Sequence, residues 1–275
     1  MKNIRVISFV FSLILMNYII VTKCFADNYP TGSRFAGMAN TGVMWNDLWS
    51  VYQNQAGLSR IEKIEAGVHF SNSYFVKELS VNSLAFAMPT KAGVWALNYT
   101  YFGYSRFNQN KVGFAYSRAL GKKISIGMQV DYFRTHIEGE FGNGGLFTAE
   151  AGMIVKPLEK LSIGAHIFNP VRSKWDNVNQ ERMPTVLKVG LGYQFSETFK
   201  LGIEVEKDMD YKEIFKVGAE YELVKNLFFR IGISTNPIIN SFGIGYKLGK
   251  WKMDISFTKH EIAGYSSGLS LGYIF

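Results

Sequence analysis

The sequence predicts an all-β fold: a transmembrane antiparallel up-and-down β-barrel of about fourteen strands, with an amino-terminal segment folded into its lumen. Three observations carry this expectation. From Ile61 onward the chain alternates apolar and small or polar residues with a period of two. Its last strand places Leu269, Leu271, Tyr273 and Phe275 on one face and Gly268, Ser270 and Gly272 on the other. At the opposite end, Lys2 and Arg5 precede an apolar run from Val6 to Val21, as in an exported protein.

Taken in chain order, residues 1–26 read as a cleaved signal peptide, with Cys24-Phe25-Ala26 as the small-x-small site before Asp27. Cys24 is the only cysteine, so the mature chain has no disulfide, thiolate metal site or thiol nucleophile. Without the leader, 27 basic residues stand against 22 acidic ones, spread along the chain with no basic stripe of the kind nucleic-acid binders carry. No later segment reaches the ~18 to 20 continuous apolar residues of a membrane helix, which leaves a closed barrel as the way to span a membrane. Aromatic residues at 15% of the chain and 27 glycines fit that architecture, with aromatic girdles outside and small residues within.

Residues 27–60 are rich in small residues, and their apolar positions do not alternate. They read as a hatch or plug buried in the lumen, in which Asp47 caps a short helix running through Leu48, Trp49, Val51 and Tyr52. Residues 61–275 form the barrel, with strands expected near 61–71, 78–88, 92–104, 110–119, 123–135, 146–156, 160–169, 185–196, 198–207, 213–223, 226–235, 239–248, 250–259 and 265–275. The second strand is the least regular, because both of its faces carry apolar residues. Turns after even strands are tight, as at Gly121-Lys122 and Gly249. Connections after odd strands run longer, notably His136 to Gly145 and the polar, flexible stretch from Pro170 to Pro184. Short periplasmic turns and longer outer loops are the rule for such barrels, and they put Phe275 at the periplasmic rim. Tyr273 and Phe275 then stand as the carboxy-terminal signal for the barrel-assembly machinery, in the lipid of a Gram-negative outer membrane.

The inward face interleaves both charge signs. Glu204, Glu220, Glu222, Arg230, Lys188, Lys252 and Asp254 are its expected charge network, joined by Lys111, Asp131, Glu150 and Lys216. A selective ion pore usually shows one dominant sign at a constriction, so mixed charge suits a paired interior. His69, His136, His166 and His260 are scattered without H-E-x-x-H, and no G-x-S-x-G elbow is present. Gly142-Asn143-Gly144-Gly145 precedes a strand and reads as a loop, not a phosphate cradle. The expectation is a non-enzyme with no metal and no cofactor.

Gly32-Ser33-Arg34-Phe35-Ala36-Gly37-Met38-Ala39, then Asp47, then Asn54-Gln55-Ala56-Gly57-Leu58, resemble the pattern that opens the FadL-like outer-membrane family, and particularly its PorV/PorQ-type branch in Bacteroidota. The resemblance continues through Leu161 to Asn169, Pro184 before Val189-Gly190, and Gly218 to Tyr221 before Arg230. It implies a fourteen-stranded barrel whose hatch motif is Gly32, Arg34, Gly37, Met38, Asp47, Asn54, Gln55, Ala56 and Gly57. FadL-type members pass fatty acids or other hydrophobic compounds. PorV-type members bind other outer-membrane or secretion proteins in type IX secretion. Gln55 stands where the family carries a proline, and the outer loops are shorter than those of fatty-acid transporters or cargo shuttles. The PorV-like reading, a partner-binding subunit of an outer-membrane complex, is the leading expectation. A passive FadL-like channel for small hydrophobic molecules is the alternative.

Overall fold

A computed structural model describes residues 29, 31–139, 142–175 and 182–275; the leader and its cleavage site lie outside the described residues. Fourteen antiparallel strands close into one barrel: β1 Glu65–Asn72, β2 Ser80–Pro89, β3 Val94–Gly103, β4 Phe107–Leu120, β5 Ile124–Ile137, β6 Gly142–Leu158, β7 Leu161–Phe168, β8 Val186–Gln194, β9 Phe199–Asp208, β10 Ile214–Val224, β11 Leu227–Ser234, β12 Ile239–Leu248, β13 Trp251–His260 and β14 Gly264–Ile274. Each strand pairs with its neighbours in sequence, and β14 closes on β1 with Val68 opposite Leu271. The Phe275 amide donates to the Ile64 carbonyl at 2.9 Å, so the last residue completes the seam.

Period-two alternation builds this wall because successive side chains point to opposite faces. Val68, Leu84, Leu97, Ile231 and Phe242 are exposed on the outside, while Ser83, Asn98, Lys111, Glu204 and Ser270 are buried within. An apolar exterior around a polar interior is the pattern of a barrel in lipid. Among the described residues no helix is long and apolar enough to cross a membrane. Outside the wall, aromatic pairs gather at the end with the tight turns. Trp95 meets Tyr116 at 4.6 Å, Tyr193 meets Phe195 at 4.8 Å, and Trp251 meets Tyr273 at 4.7 Å.

Several expected boundaries shift. The first strand starts at Glu65 instead of Ile61, because Gln55–Arg60 forms a 3-10 turn that delays it. On the second strand's inner face Val81, Ala85 and Ala87 are buried, the two alanines against the amino-terminal segment, which explains why both faces are apolar. Gly142 to Gly145 belong to β6 and are not a loop. Asn143, Gly144 and Gly145 pair with His136, Thr135 and Arg134, so only residues 138–141 separate β5 from β6. The Tyr132 hydroxyl crosses over Gly145, where a Cβ would stand 2.9 Å away, so the residue that resembles a loop former is the one the sheet admits. Loop asymmetry therefore rests mainly on the connection from Phe168 to Val186, with smaller contributions from residues 73–79 and 209–213. That connection is not an open polar loop at its ends: Trp175 and Met183 are buried with Phe133, Leu146 and Phe168 over the barrel mouth. Asn169 directs the fold, its Nδ2 donating to the Met183 carbonyl at 2.7 Å and its Oδ1 accepting from Thr148 at 2.8 Å. Residues 176–181 lie outside the described residues.

Candidate functional site

Residues 31 to 61 pack against the inward faces of strands all round the barrel. Gly32, with φ 99°, turns the chain into a single helical turn, α1 Ser33–Ala36. Asp47 caps the 3-10 turn Leu48–Tyr52: its carboxylate accepts from the Trp49 amide at 3.0 Å, while Ser50 Oγ accepts from the Asp47 amide at 3.0 Å. Asn54 caps the second turn and ties three chain segments together, its Nδ2 donating to the Val43 carbonyl at 2.6 Å and reaching the carbonyls of Met153 and Ala165 at 3.2 Å.

On one side the contact is apolar. Trp49, Tyr52, Leu58 and Phe35 pack with Ala85, Ala87, Ala96 and Ala115 of β2, β3 and β4. The Tyr52 hydroxyl reaches the carbonyls of Leu84 at 2.8 Å and Tyr99 at 3.0 Å, two residues that face each other across β2 and β3.

On the other side the contact is ionic. Fully buried Glu204 accepts from the backbone amides of Gly42 and Val43, both at 2.9 Å, and from Lys216 Nζ at 3.2 Å. Lys216 also donates to Glu206 at 2.6 Å, and Lys188 stands 3.6 Å from Glu206. Arg34 grips Glu220 with two nitrogens, at 2.9 and 3.0 Å, and Asp47 with a third at 2.9 Å. Arg230 joins Glu220 at 2.8 Å to Asp254 at 2.6 Å, and Lys252 pairs with Glu65 at 2.9 Å. Burial would raise the Asp47 carboxyl, yet Arg34 and then Lys252 hold it below its ordinary range.

Glycines admit this close fit. Gly192, Gly202, Gly218 and Gly232 face one another in register across β8 to β11. A Cβ at Gly218 would lie 2.6 Å from the Met38 carbonyl oxygen, and one at Gly37 would lie 2.8 Å from the Gly243 Cα. At Gly37 and Gly243 backbone meets backbone because both residues lack a side chain, and at Gly218 the strand's missing side chain makes room for Met38.

The predicted charge residues therefore divide. Glu220, Arg230 and Asp254 come together around Arg34, Glu204 and Lys188 belong to the separate Lys216–Glu206 chain, and Lys252 pairs apart. Glu222 joins none of these: it accepts from the Asn226 amide at 2.7 Å and braces the β10–β11 turn, since its place near the strand end favours the local amide. A third cluster was not resolved by the sequence as a unit. Lys111 donates to Glu150 at 2.7 Å, His166 Nε2 lies 3.0 Å from Glu150, and Gln55 Nε2 donates to Glu150 at 2.6 Å. Gln55, standing in place of a proline, thus holds its turn by hydrogen bonds to Glu150 and the Val51 carbonyl and not by a fixed φ. The only available signal was its polarity at a position expected to be buried.

No family model matches the chain, and no curated protein matches it. Solved structures do. A CymD monoaromatic hydrocarbon channel matches with a TM-score of 0.70 at 12% identity, over 90% of this chain and 98% of that one. A Pseudomonas aeruginosa FadL homologue matches at 0.68 and 11%, over 90% and 99%. The Ralstonia pickettii toluene transporter TbuX matches at 0.66 and 13%, over 89% and 98%. They are a hydrocarbon channel, a FadL homologue and a toluene transporter, and at such identities the likeness establishes architecture. The chain has the fold of the FadL-like fourteen-stranded barrels.

Proposed function

We propose that the protein is an outer-membrane channel for small hydrophobic molecules, closed at rest by residues 27–60 acting as its hatch. One observation carries this reading: a barrel similar over nine-tenths of its length to hydrocarbon channels encloses a segment tied to the wall largely by exchangeable polar contacts. In this reading the end with tight turns faces the periplasm, the leader 1–26 is removed on export, and Tyr273 and Phe275 present the assembly signal. A groove of about 570 Å³ in the outer wall, lined by Val68, Leu84, Phe86, Leu97, Trp251 and Leu271, has Gly67, Ala85 and Gly272 as its floor. The Tyr52 hydroxyl lies behind this groove on the Leu84 and Tyr99 carbonyls, and in this reading a hydrophobic solute leaves sideways into lipid at this stretch of wall. The PorV-like secretion-partner reading has no support from the comparisons and gives way to the channel.

Uptake of a monoaromatic hydrocarbon by cells lacking the gene tests the proposal. Uptake is expected to fall on deletion and return with the wild-type chain. Unchanged uptake across a panel of hydrophobic compounds, together with a stoichiometric partner on mild-detergent purification, reverses the choice.

A further inference from the structure

The charge of this barrel is unevenly placed between its two ends. The six tight turns contain Lys91, Lys122, Lys123, Lys160, Lys225 and Lys250, against only Glu159 and Glu197. The connections at the other end mix both signs: among the described residues Lys77, Arg106, Arg172, Lys174, Arg182 and Lys212 are set among Glu78, Glu138, Asp210, Glu213 and Glu261, so the two ends differ in their acidic residues and not in their cations.

Beneath the amino-terminal segment, the same lysine-rich end holds a recess of three joined lobes of about 430, 160 and 130 Å³. The first two share Asp47, Lys247 and Lys252; the last two share Arg34 and Lys200. Lys156, Lys200, Lys247 and Lys252 extend from the strands into this recess, and Lys156, Lys160 and Lys247 form no ion pair among the described residues. Asp47, Glu62, Glu65, Glu159, Glu220 and Asp254 also line the recess, but they are outnumbered by its Lys and Arg residues, and an excess of cations in a concave mouth focuses a positive potential on whatever enters it.

We infer that this mouth is a docking site for an acidic segment of a periplasmic protein, resting on the orientation proposed above. Three features select that occupant. The strand lysines point into the lumen, where lipid headgroups outside the wall do not reach. The positive groups extend through successive lobes from β6 to β13, a length suited to a chain of carboxylates and too great for one small anion to neutralise. The lobes are joined, so an extended peptide threads them without breaking contact. Its carboxylates also meet Arg34 in the middle lobe, the cation that ties the internal segment to Glu220.

The test uses the mature chain in zwitterionic nanodiscs with a fluorescently labelled peptide of consecutive glutamates, followed by anisotropy. Saturable binding that weakens with salt is expected. The pair Lys156→Gln and Lys247→Gln is expected to weaken it about fivefold to tenfold. The pair Lys77→Gln and Lys212→Gln, at the opposite end, leaves it unchanged. Heat-modifiable mobility on gels verifies the closed barrel; if the first pair fails to fold, the exposed turn pair Lys160→Gln and Lys250→Gln serves, with loss in the same direction. Absence of saturable binding, equal loss from the opposite-end pair, or competition by free glutamate at the same carboxylate concentration overturns the inference, the last in favour of a small-anion site. Because binding in the nanodisc does not depend on which face meets the periplasm, its failure is distinct from failure of the channel reading.

Discussion

The internal segment meets two unlike walls. Against β2, β3 and β4 it presents Trp49, Tyr52 and Leu58 to a floor of alanines, a contact that gains by excluding water. Against β9 to β13 it presents backbone amides, Met38 and Arg34 to glycines and buried carboxylates. Apolar contact is non-directional and tolerates small shifts. A carboxylate between two amides holds one geometry, and once it is lost, water supplies replacement partners. In the channel proposed above, the alanine side would serve as the hinge and the carboxylate side as the latch.

The largest effect is expected at Glu204. Glu204→Ala removes the acceptor shared by Gly42 and Val43 and leaves Lys216 with one partner, a cost of about 3–5 kcal/mol. Limited proteolysis within residues 29–61 should accelerate sharply while the barrel keeps its heat-modifiable mobility. A segment that stays protected refutes the latch assignment.

Trp49→Ala on the opposite wall costs about 3 kcal/mol, with a different signature. The thermal midpoint of the whole barrel, followed by circular dichroism, should drop without selective cleavage of the segment. If both variants respond alike, the two walls are not functionally distinct.

Gly218→Ala places a methyl against the Met38 carbonyl and should cost about 1–3 kcal/mol, read as intermediate proteolysis. The mildest change, Arg34→Lys, keeps the charge but loses the two-nitrogen grip on Glu220, about 1.5 kcal/mol. Its proteolysis should become salt-dependent where the wild type's is not.

Barrel, strand number and facing were readable from the sequence because alternation is a local signal, repeated in every strand and checked by tight turns at every second connection. The latch was not readable in the same way. Arg34 and Glu220 are 186 residues apart, and Glu204 binds backbone amides, which carry no side-chain signature at all. Arg34 was identified through a motif resemblance, and its partners emerged only with the strand register. Glu222 shows the converse error: it faces inward with the right charge, yet it serves its own turn, because an adjacent amide lies closer than any distant cation. The Trp175 end of the long connection was misjudged because composition counted its polar residues, while Asn169 and two buried apolar side chains decide its path.

The aligned glycines on β8 to β11 have a consequence for how the sheet acquires its pairing. Strands whose inner positions lack side chains carry little information against slipping past one another by two residues, since such a slip keeps the outer face outward. Met38 and Thr41 seat against Gly218, and Met38 and Ala39 against Gly232. A two-residue slip would bring Lys216 or Glu220 to the notch at Gly218 and Arg230 or Ser234 to the notch at Gly232, each a side chain where those residues need none. The segment thereby works as a key that admits only one alignment of the strands around it.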